Sequence, residues 1–323
     1  MPNTPSPPSG EVFWLRTPDA HRLHVRLLGP PGGTPWLVLH GGPGSGCAPS
    51  MADWFDLARH RVVLPDQRGA GRSRPAGSLR RNTTGALLDD LERLRRALGI
   101  ERWHVAAGSW GAALALAYAA RHAPHVAGLV LRGSFLTGRD DILRLFSARA
   151  RGASMLAPRA HAAAHTRLGA AQAQLLATVQ LLQNGTPVQQ RDTAWRWRRV
   201  EAGLLAGRPA RRSDGADRAG ARSLAATRAE RALCRKYRIQ ARYLPRRCGL
   251  GKAALLRAAA AVGAQGIPVT LLHGTRDRVC PPRNAERLRR AIPQAELWRI
   301  AGGHLAQGAM AEALGRAIRR QSA

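Results

Sequence analysis

Short apolar runs recur along the chain at Trp36–Leu39, Arg61–Pro65, Trp103–Ala106, Ala127–Arg132, Pro268–His273 and Ala295–Ile300. They are too short for helices and do not alternate with polar residues, which is the signature of parallel strands buried on both faces. Ahead of them, Val12–Thr17 and Arg22–Leu28 do alternate, with a Pro-Asp turn between, and predict an antiparallel hairpin with one wet face. Helical periodicity fills the gaps, most clearly over Thr84–Leu98, with Asn82 or Thr83 as N-cap and Gly99 as C-cap. Strands alternating with helices predict an α/β fold with a mostly parallel, doubly covered sheet. From Gly138 to Gly266 the strand signal stops and runs rich in Ala, Arg, Leu and Gln take over. The expected organisation is a disordered tail at 1–10, a first core part at 11–137, a helical cap at 138–266 between the sixth and seventh strands, and a second core part at 267–323. Within the cap, residues 205–232 carry Pro, Gly and dense Arg and read as a loop or disordered segment.

The third of these apolar runs, Trp103–Ala106, leads into Ala107-Gly-Ser-Trp-Gly111 and then a helical pattern. Small residues at Ala107 and Gly111 suit a tight strand-to-helix turn that lifts the Ser109 hydroxyl above a sheet, at a helix N-terminus that favours developing negative charge. The stretch resembles the nucleophile elbow of an α/β-hydrolase, with Ala107 where glycine is usual. That fold needs an oxyanion loop before the elbow, then an acid, then a histidine. The chain supplies them in order: the glycine-rich turn after Leu37-Val-Leu-His40, Asp277 after Val269-Thr-Leu-Leu-His273, and His304 after Leu297-Trp-Arg-Ile300. Ser109 is the expected nucleophile, His304 its base, and Asp277 the carboxylate that orients the imidazole. Glu286 and Glu296, the neighbouring acids, sit in an amphipathic helix pattern and at a strand start, and read as solvated. Trp110 N–H is one expected oxyanion donor.

His40-Gly-Gly-Pro-Gly44, Asp66-Gln-Arg-Gly-Ala-Gly-Arg-Ser73, Gly108-Ser-Trp-Gly-Ala-Ala-Leu-Ala115 and Asp277-Arg-Val-Cys-Pro281 together resemble the proline iminopeptidases, prolyl aminopeptidases of the α/β-hydrolase class. The resemblance runs from about residue 11 to the C-terminus and is weakest near 205–235. It implies a serine peptidase that releases N-terminal proline from small peptides without metal or cofactor. It favours Gly41 over Gly42 as the second oxyanion donor. It also implies amine recognition by cap glutamates, the first matched by Glu201, with Trp197 one helical turn away as a wall for the proline ring. At the second glutamate's position this chain has Gln240, which can accept a hydrogen bond but brings no charge. An esterase or amidase indifferent to a free amine is the alternative that Gln240 favours. In the Asp66-Gln-Arg-Gly motif, Asp66 and Arg68 are expected to fix loops around the site; a direct substrate contact from Arg68 is the sharper reading.

Composition changes this picture in one respect. Against 20 acidic residues the chain carries 51 basic ones, a net charge of +31, and only Lys236 and Lys252 among them are lysine. Such a field attracts nucleic acid and anionic membranes without specificity. Arg and Ala enrichment of this kind also follows from a GC-rich coding sequence, and no nucleic-acid recognition motif or amphipathic anchor accompanies it. A basic nucleic-acid-binding protein with a vestigial hydrolase core is the alternative from another class; the expected partners exclude specific nucleic acid and membrane. Cys47, Cys234, Cys248 and Cys280 lack metal-ligand spacing and read as free thiols in a reducing compartment. Without signal-peptide character at the N-terminus, a cytoplasmic location is expected.

Overall fold

The computed structural model describes residues 10–147, 167–207 and 227–322. Nearly all of the expected tail at 1–10, and the 208–226 part of the stretch expected as loop, lie outside the described residues. Eight strands form one sheet: β1 (Glu11–Arg16), β2 (Arg22–Leu28), β3 (Thr34–Leu39), β4 (His60–Pro65), β5 (Trp103–Gly108), β6 (Val126–Arg132), β7 (Val269–Gly274) and β8 (Glu296–Ile300). Their order is β1-β2-β4-β3-β5-β6-β7-β8. The opening hairpin pairs from Glu11↔Leu27 to Arg16↔Arg22, and β2 is also antiparallel to β4; every later pairing is parallel. From β3 the chain steps outward to β4 and then crosses back to β5 on the other side of β3. A crossover of this kind opens a crevice at the carboxyl ends of the strands, where α/β sheets bind ligands.

Alternate strand residues feed two apolar layers. Leu37, Leu39, Val105 and Leu129 pack toward one face, with Leu91 and Leu94 of α1 (Thr84–Ala97), Leu114 and Leu116 of α2 (Trp110–Arg121), and residues of helices introduced below. Trp36, Val38, Ala106 and Val130 pack toward the other, against Ala52 and Phe55 near a short 3-10 turn. Because both faces are covered, the central strands need no polar side, which is why their sequence does not alternate. Thr83 caps α1, its hydroxyl accepting from Ala86 N–H at 3.3 Å; Gly99 follows the C-terminal residue Leu98 with φ +64. Asn82, the other candidate cap, instead donates to the carbonyls of Arg68 and Ser78.

Between β6 and β7 lie α3 (Arg139–Leu145), α4 (Arg167–Asn184), α5 (Pro187–Ala206), α6 (Arg228–Tyr243) and α7 (Gly251–Ala264); α8 (Arg283–Ala291) and α9 (Ala309–Gln321) follow. Helices α4, α5 and α6 pack on one another, and α3 on α4, whereas α7 lies against α2 and α8. The layer that covers the sheet therefore resumes at Gly251, before the boundary expected at 266. Leu255 and Leu288 join the α2 side of the core, and Met310, Leu314 and Ile318 of α9 close the other side. Two parts of the stretch expected as loop are helical: residues 205–206 end α5, and 228–232 begin α6. The reason is local. Thr227 and Glu230 form a capping box, each side chain bonded to the other's backbone N–H, and this start signal outweighs the Arg-rich composition. Among the described residues no helix is long and apolar enough to cross a membrane.

Candidate active site

Ser109 joins β5 to α2 with φ 58 and ψ −122, a conformation that costs a residue bearing a Cβ on the order of 1–3 kcal/mol. Its surroundings hold it there. The Ser109 N–H donates to Arg132 O at 2.9 Å, and its carbonyl accepts from Ala112 N–H at 3.0 Å. Helix α2 approaches β3 so closely that a Cβ at Gly111 would lie 2.4 Å from Leu39 O. Trp110 is wholly buried, its indole N–H donating to Gln67 Oε1 at 3.0 Å. Its peptide N–H is the first of the helix and has no partner within it.

Beside the elbow, a Cβ on Gly41 would stand 3.3 Å from Gly108 O and 3.4 Å from Ser109 Cβ, so the turn after β3 backs directly onto Ser109. His40 fixes this turn from beneath. Its Nε2 accepts from Gln67 N–H at 3.1 Å, which leaves Nδ1–H to donate to Gly41 O at 2.8 Å. Burial lowers the His40 pKa and keeps the ring neutral for both bonds. Gly42, the other candidate donor, has φ +119 and lies one residue further round the turn.

The Asp66-Gln-Arg motif braces these loops. Asp66 accepts from Cys47 N–H at 2.7 Å and Arg72 N–H at 2.9 Å. Arg68 is buried and pairs with Asp90 at 2.5 and 2.9 Å and with Asp19 at 2.5 Å. Burial favours its neutral form, but the bonds to Asp90 and Asp19 outweigh that and raise its pKa. With its donors committed to carboxylates, Arg68 is a structural residue rather than a substrate contact.

At the ends of β7 and β8 the structure joins Asp277 to His304. Asp277 Oδ2 lies 2.7 Å from His304 Nδ1, with the residues 5% and 7% exposed. Oδ1 of Asp277 accepts from the N–H groups of Val279 and Cys280 at 2.9 Å each. Burial alone pushes the carboxyl up, but the hydrogen bond and charge of His304 outweigh it and hold the group below its ordinary value. An ionised acid on Nδ1 leaves Nε2 as the nitrogen that takes a proton. Ser109 makes no hydrogen bond to the imidazole in this structure; nucleophile–base contacts are often longer than a hydrogen bond until substrate closes the site. The two halves meet instead through Arg132, whose carbonyl holds Ser109 N–H and whose guanidinium donates to His304 O. The Cys280 thiol is buried; desolvation and the Asp277 charge push its pKa well up, so it is a packed, protonated thiol. Glu286 and Glu296 pair with Arg299 and Arg320 at the surface.

Helices α5 and α6 reach the loops that carry Gly41 and His304. A Cβ on Gly44 would fall 2.9 Å from Lys236 O and 3.0 Å from Ile239 Cβ, so α6 sits on the turn after β3. Leu205 O of α5 lies 3.6 Å from the corresponding point on Gly303, beside His304. Glu201, one turn before Leu205, accepts from Lys236 Nζ at 2.5 Å and from Tyr237 OH at 2.8 Å. Trp197 is only 3% exposed, stacked on Tyr237 with centroids 5.0 Å apart and edge-on to Phe146 at 5.1 Å. Its indole braces the cap instead of presenting an open wall. Gln240 is equally buried, at 3%. Arg132, Lys236 and Tyr237 carry no motif of their own in the sequence. Only the scarcity of lysine could have drawn attention to Lys236.

Over residues 34–308 the chain matches the family described as alpha/beta hydrolase fold. A curated proline iminopeptidase of Xylella fastidiosa (strain Temecula1) is 49% identical over 43% of this chain and 44% of its own. The chain thus spans less than half the length of the first curated relatives it matches. A proline iminopeptidase of Neisseria gonorrhoeae is 32% identical over 94% of both chains. Among solved structures, a haloalkane dehalogenase from Bradyrhizobium elkanii superposes with a TM-score of 0.61 at 20% identity, covering 97% of this chain and 96% of its own. A proline iminopeptidase-related protein from Thermus thermophilus does so at 0.56 and 22%, with the same coverage. At those identities the structural matches speak for the fold alone. The strained serine elbow, the acid–histidine pair on successive strands and the matched residues together lead to one conclusion: this chain belongs to the α/β-hydrolase fold family.

Proposed function

We propose that the protein is a serine hydrolase that releases N-terminal proline from small peptides, a proline iminopeptidase. The observation that carries this reading is the buried Asp277–His304 pair at 2.7 Å, set in a chain alignable almost end to end with a curated proline iminopeptidase. Ser109 Oγ attacks the prolyl carbonyl while His304 Nε2 takes the hydroxyl proton. Asp277 holds the imidazole in the required tautomer and stabilises the imidazolium. Trp110 N–H and Gly41 N–H receive the oxyanion, each donor contributing about 3 kcal/mol to the transition state. The imidazolium then protonates the leaving amine, and water, activated by the same histidine, hydrolyses the acyl-enzyme. Glu201 is the cap carboxylate for the substrate's ammonium, because a cation taken out of water needs an ionic partner. Gln240, one turn beyond Lys236 on α6, is a neutral acceptor.

A second reading, an esterase or amidase without a free-amine requirement, is favoured by the Lys236–Glu201 contact and by Gln240. Hydrolysis of prolyl-β-naphthylamide beside its N-acetylated form separates the two. Turnover of the free amine alone, reduced at least about 10⁴-fold in Ser109→Ala, is the expected result. Turnover of both substrates would sink the exopeptidase assignment, and inertness toward these and simple aryl esters would sink the hydrolase.

A further inference from the structure

Resting on the reading of Glu201 as the amine acceptor, we infer that Lys236 is a specificity-determining residue, an internal ammonium that occupies Glu201 and competes with the amino group of the substrate. Four observations converge. Lys236 Nζ lies 2.5 Å from Glu201 Oε2, at the geometry an incoming ammonium would need. The same ammonium stands 4.8 Å from the centroid of the Tyr237 ring, and the Tyr237 hydroxyl bonds the same carboxylate oxygen at 2.8 Å, so the cation is held by a built site rather than a passing contact. Tyr237 is itself clamped against Trp197. The pair belongs to the cap elements that touch the active-site loops: Lys236 O packs on Gly44, and Leu205, one turn beyond Glu201, packs on Gly303.

The charge of this corner follows. Lys236 neutralises Glu201, and Gln240 contributes none, so the cap as folded offers a substrate ammonium no net negative charge. The Lys236 and Glu201 side chains are 24% and 28% exposed, which leaves the ion pair exchangeable and not locked. A free-amine substrate must then displace Lys236, and its apparent affinity is reduced by the fraction of molecules in which Glu201 is available. Acyl groups whose nitrogen is blocked or uncharged escape that competition. Lys236 accordingly weakens the hold of Glu201 on a free amine without replacing it.

Lys236→Met tests this with free-amine and N-acetylated prolyl and alanyl β-naphthylamides and p-nitrophenyl esters. The ratio of KM for the free amine to the inhibition constant of its blocked partner is expected to fall about tenfold, through KM rather than kcat. Lys236→Arg should keep the ratio near that of the unmodified protein, and Lys252→Met, at the other lysine, should leave it unaltered. A ratio unchanged in Lys236→Met overturns the inference, as would equal changes for both members of each pair, the mark of a purely structural staple. Loss of prolyl turnover with alanyl turnover retained would defeat the proline assignment but still decide the role of Lys236.

A second measurement needs no turnover. With only two lysines, protein labelled with ¹³C at lysine Cε gives two side-chain signals. Adding prolinamide or alaninamide is expected to move the Lys236 signal and leave Lys252 in place, while the N-acetylated amides move neither. A Lys236 signal indifferent to saturating amine overturns the inference even if the enzyme is inert.

Discussion

At Ser109 the specialisation lies in the backbone: an ordinary hydroxyl is made available by a φ of 58 that its neighbours enforce. A different kind of burial acts at His104, where the imidazole is stacked on Trp36 with ring centroids 4.7 Å apart. Desolvation lowers its pKa to about 4, so it stays neutral in the folded chain while the unfolded chain takes up a proton near the ordinary 6.5. Between those values the unfolded state binds more protons, so stability falls as pH falls through the window. Discounted for partial exposure, the term is about 1–2 kcal/mol. Urea midpoints measured from about pH 7 to pH 4.5 should therefore drop more steeply in the unmodified protein than in His104→Phe; equal slopes would refute the assignment. The candidates Ser109, Asp277 and His304 could be picked out residue by residue because each follows a short apolar run and a turn, in a fixed chain order. Arg132 could not, because its role depends on β6 lying beside β5 and on the loop after β8 folding back over it. The partner of Trp197 was hidden for a related reason: helical spacing put it on the face of Glu201, and the ring stacked on it is Tyr237, from a helix whose packing no local pattern reveals.

Among the elements, α2 is the most constrained. Every residue from Trp110 to Ala119 is buried, so the helix lacks the polar stripe of an amphipathic surface helix, and small residues let it close onto the sheet. Gly111→Ala forces a Cβ to within 2.4 Å of Leu39 O and 2.9 Å of His40 O, both backbone atoms that cannot swing aside. It should cost at least about 2 kcal/mol in chemical denaturation, where Ala112→Gly, one residue on, should cost about 1 kcal/mol from propensity alone. Similar losses would mean that the helix–strand approach is looser than it looks. Strands proved easier to read than their arrangement. The apolar runs marked β3 to β8 within a residue or two, yet the exchange of β3 and β4 in the sheet is set by the crossover, which leaves no trace in either strand. Helix α6 was missed at its start because Arg density drew the reading toward loop, although Thr227 and Glu230 already carried the capping signal.

On the scale of the whole molecule, charge stands apart from the fold. Surface pairs such as Arg299–Glu286 and Arg320–Glu296 neutralise a minority of the arginines and leave the net +31. The protein should be retained on heparin and on DNA of any sequence, with affinity falling steeply between about 50 and 200 mM salt. A clear sequence preference, or binding insensitive to salt, would revive a specific nucleic-acid role. The sheet also divides the chemistry along the chain. Ser109, Trp110 and Gly41 precede the cap, Asp277 and His304 follow it, and β6 and β7 on either side are hydrogen-bonded neighbours from Leu129↔Val269 to Arg132↔Leu272. Under the proposed function, the nucleophile and its oxyanion donors come from the stretch before the inserted helices, and the acid and the base from the stretch after them. The β6–β7 ladder is then a seam that brings the two sets of groups together, and the inserted helices are a tether that keeps them at high effective concentration for each other.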